Sequence, residues 1–141
     1  MRFVSVAAAA VFVLAGMSSG VAHAESAPGC GSVTQIGKTA YIGGDSRDAK
    51  ASVKQFIGCG KNYAYIYVWD SFARKVGDFQ ISVAMDVEGE LQGQRTYPRN
   101  QQEGWSAGRD SLNRCTRAAG GLKDFVISED TWLTAETDRR C

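Results

Sequence analysis

The carboxylates are the residues with the most obvious chemistry. Glu88 and Glu90 stand two positions apart, and Asp70, Asp86, Glu103, Glu129 and Asp130 all lie beside turn signals. Hydrolysis of a glycosidic bond needs two such groups facing across a cleft, one of them with a raised pKa. Acids beside turns are ordinarily solvated, however, and a short chain has little room for a deep cleft. The one histidine, His23, lies in a segment that reads as a removable leader. Arg2 is followed by the apolar run FVSVAAAAVFVLAG and then by Val21-Ala22-His23-Ala24. A positive start, an apolar core and an A-x-A site describe a secretory signal peptide over 1–24. Residues 25–141 would then be a single exported domain without histidine. Ser-His-Asp and Cys-His catalysis, histidine acid-base work in a secreted ribonuclease, and histidine metal ligation are thereby excluded. The expectation is a protein that is not an enzyme and carries no cofactor or metal.

Charge narrows the partners. The whole chain carries 16 basic and 15 acidic residues, and loss of Arg2 would leave the two signs balanced. A neutral domain is not a general polyanion binder, so no nucleic-acid partner is expected. The leader run is too short for a membrane anchor.

Cys30, Cys59, Cys115 and Cys141 remain, with no C-x-x-C spacing. An even count in a short exported chain predicts two structural disulfides. Chain termini often lie close together, which favours Cys30–Cys141. That leaves Cys59–Cys115, one cysteine in a hairpin turn and the other ten residues beyond Trp105. The sequential pairing is the main rival, because its loops are shorter.

Two stretches could recognise a ligand. In KNYAYIYVWD, residues 61–70, Tyr63, Tyr65, Tyr67 and Trp69 share one face of a strand, and Ala64, Ile66 and Val68 share the other. The compact aliphatic face should point inward. The aromatic face should point outward, partly covered, beside Lys54 or Gln55 according to hairpin register. Exposed rings could stack on sugars or anchor a protein; the alternative is a central strand packed on both faces. The second stretch is GQRTYPRNQQEGW, residues 93–105, with Arg95, Tyr97, Arg99 and Trp105. Loops on a rigid scaffold often carry recognition, and the alternative is a solvated connection.

The elements that must position these residues read mostly as strands. Phe79, Ile81, Val83, Met85 and Val87 alternate with Gln80, Ser82, Ala84 and Asp86, the clearest half-buried strand of the chain. Strands are also expected over 32–42, 51–57, 91–97, 125–127 and 131–134, with a weak element starting at Trp105 and turns at 43–48, 58–62, 74–78 and 88–89. One short helix near 110–119, capped by Asp110 and stopped at Gly120 or Gly121, is left open against a strand. The pattern predicts an all-β fold, a small antiparallel sandwich or barrel of about seven or eight strands with two disulfides.

SVKQFIGCGKNYAYIYVW and GWSAGRDSLNRCTRAAG together resemble small secreted actinobacterial cysteine-containing β domains of unknown function. The resemblance covers about half of the expected domain. It implies a β fold and a cysteine staple, and no activity.

The reading that follows is a secreted, monomeric, disulfide-stapled binding module acting outside the cell. Its expected target is a protein, as for a hydrolase inhibitor or adaptor. The alternative is a cell-surface glycan held by the aromatic strand.

Overall fold

A computed structural model describes residues 25–75 and 77–141 of the protein, so the expected leader and its cleavage site lie outside the described residues. Nine antiparallel strands form two sheets. The first sheet runs β1 (Glu25–Ala27), β2 (Cys30–Ile42), β3 (Ala51–Gly58), β4 (Lys61–Val68) and β7 (Glu103–Trp105). The second runs β6 (Glu90–Thr96), β5 (Phe79–Val87), β8 (Thr116–Asp124) and β9 (Trp132–Glu136). The sheets face each other and nearly close into a barrel: Ala107 N–H donates to Gly93 O across one seam, and β2 runs beside β9 at the other.

The alternation in β4 and β5 dictates the core. Ala64, Ile66 and Val68 meet Ile81, Val83, Met85 and Val87 between the sheets, together with Val53, Ala118 and Leu122. All ten are essentially fully buried, and each of the larger ones contributes roughly 1.5–3 kcal/mol of apolar transfer. Gly120 makes the closest approach between layers possible. A Cβ there would collide with the Val53 side chain and crowd Ile66.

The all-β expectation holds, with three differences in detail. The short helix, α1, spans Asp70–Lys75 instead of 110–119 and seats Phe72 in the core. Residues 110–115 form turns, and the run from Thr116 is strand β8, because Ala118, Gly120 and Leu122 alternate inward opposite β5. Residues 125–127, expected as a strand, are the turn leaving β8.

The disulfides correct the predicted pairing. Cys30 bonds Cys59 and Cys115 bonds Cys141, the sequential arrangement. Neither Cys59–Cys115 nor Cys30–Cys141 forms, and antiparallel pairing explains why. The end of β3 runs beside the start of β2, through Thr34 opposite Ile57, which brings Cys59 to Cys30. The C-terminal tail runs beside the start of β8, through Thr116 opposite Arg140, which brings Cys141 to Cys115. Each bridge joins neighbouring segments of one sheet. Both lie at the end where the β3–β4 turn meets the start of β8, and the opposite end is built of loops and helix α1.

Candidate functional site

The outward face of the five-stranded sheet carries the aromatic row. Tyr63 and Tyr65 are buried, and with Phe56, Val33, Cys30 and Ala27 they form a second apolar cluster. Trp105 covers it: its ring lies 4.6 Å from Tyr65, 5.1 Å from Phe56 and 6.3 Å from Tyr63, centroid to centroid. The aliphatic face of β4 points into the main core as expected. The aromatic face departs from the expected platform at Tyr63 and Tyr65, because the 105–109 segment folds back over them: Arg109 exchanges two backbone hydrogen bonds with Asn62. Lys54, not Gln55, is the register neighbour of Tyr65. Gln55 points inward and donates to Thr116 and Asn62.

Further along the row the rings are half-buried. Trp69 meets Tyr41 edge to face at 6.0 Å. The Tyr67 hydroxyl donates to Asp70, and Gln102 donates to the same carboxylate. Burial first, and then the Asp70 hydrogen bond, hold the Tyr67 hydroxyl above its ordinary pKa.

The 93–105 segment is also tied down at most of its singled-out residues. The Tyr97 hydroxyl donates to the Trp105 carbonyl at 2.6 Å and accepts from the Trp105 amide at 2.9 Å. Its ring leaves space only for glycine at position 104. Arg99 forks onto both oxygens of Asp78 and stacks over Phe125, 3.9 Å from the ring centroid. That hydrogen bond holds the Asp78 carboxyl below the usual range. Arg95 is exposed, and its side chain makes no hydrogen bond or ion pair among the described residues. Among the eight candidates, the structure therefore brings Tyr63, Tyr65 and Trp105 together as packing, and braces Tyr97 against the Trp105 backbone.

Arg99 leads to a surface that the sequence did not single out. Its partner Phe125 opens the β8–β9 loop, whose next residues, Val126 and Ile127, are 68% and 71% exposed, the most exposed large apolar side chains among the described residues. The loop is braced from beneath. Buried Asp124 accepts the Val126 and Ser128 amides, through its side chain and carbonyl respectively, and pairs at 3.0 Å with Lys50, the residue before β3. Phe125 N–H donates to Asp78 O, and the Ser128 hydroxyl donates to Thr131. Exposed Glu129 and Asp130 follow the apolar pair, one residue beyond it. A window of two aliphatics beside two acids has no periodicity, so the only legible signal was its placement between Asp124 and Trp132.

The outward face of the four-stranded sheet holds a groove of about 390 Å³. Ser82 and Ala84 of β5 with Ala119 and Gly121 of β8 form its floor. Leu91 and Gln94 on β6 and Trp132, Thr134 and Glu136 on β9 form its walls. The central strands carry small side chains and the edge strands carry large ones, so the sheet face is a trough. One end is closed by ion pairs: buried Asp86 accepts from Arg117 at 2.7 Å, and Arg117 also reaches Glu136 at 2.8 Å.

Four of the seven carboxylates considered for hydrolysis, Asp70, Asp86, Glu88 and Glu103, are held by separate partners. Asp86 pairs with Arg117, Glu88 with Arg114, and Glu103 accepts from Tyr65. For Asp86, burial pushes the carboxyl up, but hydrogen bonds from Arg117 and Gly89 and the charges of Arg117 and Arg139 outweigh it, and the net shift is downward. Hydrogen bonds from Arg114 lower Glu88, and hydrogen bonds from Gln102 and Tyr67 lower Asp70. A general acid at neutral pH needs the opposite shift. Among the described residues, no three His, Cys, Asp or Glu side chains converge as a metal-ligand set, and no helix is long and apolar enough to cross a membrane. No protein-family model, no curated protein and no solved structure matches the chain.

Proposed function

We propose that this protein is an exported, non-catalytic binding module that docks on an extracellular protein through the β8–β9 loop. The single observation carrying this reading is the exposed pair Val126–Ile127 on a loop that Asp124 holds rigid. Apolar side chains presented without freedom to collapse cost little further entropy on binding. The pair is suited to an apolar pocket of the partner, and Glu129 and Asp130 are suited to a basic rim around it. The position of the loop, at the end opposite both disulfides, fits an inhibitor or adaptor that presents a loop from a stapled scaffold.

The test uses the exported chain as bait for the extracellular fraction of its source, beside the double variant Val126→Ser/Ile127→Ser. Both substitutions are on the surface and should change stability by no more than about 0.5 kcal/mol. Capture of a protein by the native chain and its loss in the double variant, with unchanged thermal melting, is the expected result. Equal capture by the variant sinks the loop assignment.

A further inference from the structure

The groove on the four-stranded sheet is a separate feature from the loop, and its polar groups define a ligand. Its walls offer one half-buried indole, Trp132, whose ring already rests on the small floor: a Cβ added at Gly121 would lie 3.1 Å from Trp132 Cε3. Around it stand three hydroxyls and an amide, from Ser82, Thr96, Thr134 and Gln94. Ser82 Oγ takes hydrogen bonds from Gln94 Nε2 and Thr96 Oγ1, both at 3.1 Å. That leaves the Ser82 proton, the Gln94 carbonyl and the Thr134 hydroxyl without partners among the described residues. Donors and acceptors are thus mixed within one small concavity.

Charge is almost absent from the lining. Glu136 is its one ionisable side chain, and one of its oxygens is matched by Arg117. No cation is among the lining residues. Arg117 at the closed end is held by Asp86 and Glu136, and Lys123 lies over the Trp132 ring, 4.9 Å from its centroid. The lining therefore offers an incoming phosphate, sulfate or carboxylate no unmatched guanidinium. A peptide strand is a poor fit as well. It would need the free N–H and C=O groups of a sheet edge, whereas the groove lies on a sheet face whose backbone is already paired between β6, β5, β8 and β9. The chemistry that answers a single aromatic wall and uncharged donors and acceptors together is a neutral ring of hydroxyls with one apolar face. Four strands at about 4.8 Å spacing set the edge strands about 14 Å apart, room for one or two such rings once the walls are counted.

We infer that the groove binds a neutral pyranose saccharide, with the sugar's C–H face against Trp132 and its hydroxyls on Gln94, Ser82, Thr134 and Glu136. Together with the proposed protein-binding loop, this makes the module a two-sided adaptor. The groove does not depend on that loop, however, and can be tested without it.

Titration of the 15N-labelled exported chain with cellohexaose, xylohexaose, mannohexaose and chitohexaose, each to millimolar concentration, tests the inference. At least one should shift the amides of Ala84, Ala119 and Gly121 and the Trp132 indole N–H. Trp132→Ala should weaken that binding at least about tenfold, and Ala119→Leu, which fills the floor from the outward side, should abolish it without unfolding the chain. Retention on the matching insoluble polysaccharide separates a wall glycan from a free oligosaccharide as the natural source. Silence from all four sugars, shifts centred on Tyr67 and Trp69 instead, or undiminished binding in Trp132→Ala each overturns the inference.

Discussion

The two outward sheet faces of this protein are opposites. On the five-stranded sheet the outward residues are large and aromatic, and they fill their own space: Phe56, Tyr63, Tyr65 and Trp105 close over one another. On the four-stranded sheet the central outward residues are Ser82, Ala84, Ala119 and Gly121, and they leave a trough. A face rich in binding-type side chains is therefore closed, and a face poor in them is open. Concavity comes from where large side chains are missing between large ones, not from how many aromatics a strand carries. An aromatic row beside a segment with its own tryptophan is an invitation to pack, because burying such rings outweighs leaving them wet.

The sharpest way to break this contrast is to truncate one large ring on each face. Phe56→Ala should cost about 3–5 kcal/mol, as for a fully buried aromatic, whereas half-buried Trp132→Ala should cost about 1–2 kcal/mol. Urea unfolding of the two variants measures both; comparable losses would mean that the aromatic cluster is a surface feature after all. Next in size, each disulfide closes a loop of similar length, 29 and 26 residues. In the chain-entropy picture each contributes about 3.5 kcal/mol. Replacing Cys30 and Cys59, or Cys115 and Cys141, with serine pairs should therefore destabilise the two sheets about equally. A large inequality would locate extra strain or residual structure in one of them.

The neighbouring glycines of β8 give a finer comparison. Gly120 faces inward against Val53, so Gly120→Ala should cost about 1–3 kcal/mol through overpacking. Gly121 faces the groove, where only the Trp132 ring must give way, so Gly121→Ala should change stability by less than about 1 kcal/mol while narrowing the trough. Thermal melting of the two variants decides it, and reversal of their order would place the groove on the wrong side of β8.

The smallest effect concerns acid. Asp86 closes one end of the trough, and its carboxyl titrates below the ordinary value in the folded protein. A depressed pKa contributes stability that is present above the unfolded value, about 3.9, and is lost as pH falls through the folded value. Unfolding free energy should therefore fall below about pH 4, and Asp86→Asn should flatten that part of the profile. Asp70, Asp78 and Glu88 are also lowered, through hydrogen bonds to Gln102, Arg99 and Arg114. They are more exposed, so salt should weaken their part and leave most of the Asp86 effect.

Much of the fold was legible from pattern alone. The strict alternation of 79–87 and of 61–68 placed β5 and β4 and assigned their inward residues correctly. The Gly58-Cys59-Gly60 cluster fixed the hairpin between β3 and β4. Helix α1 was missed because six residues give less than two turns of periodicity, and Phe72 is its one buried anchor. Strand β8 was ambiguous because Ala118-Ala119-Gly120-Gly121 has no large side chain to reveal a period of two. The same smallness that hid the strand makes the groove floor. The site residues taken from the sequence were chosen by side-chain type, and type does not say whether another segment lies on top.

By itself, then, the sequence determined the class of this molecule: short half-buried strands in an antiparallel β fold, four cysteines in two bridges, and which face of β4 and β5 is core. These follow from local periodicity and count, which need no knowledge of distant partners. Tertiary structure alone decided which cysteines pair, that Trp105 closes over Tyr63 and Tyr65, and that Arg99 stacks on Phe125 beneath the exposed loop. It also decided that four small residues from two strands lie between Leu91 and Trp132. Each of these depends on strand order and on which segment crosses which face. They are set by non-local pairing, and the sequence records non-local pairing only weakly, because any half-buried strand can satisfy its pattern against several neighbours.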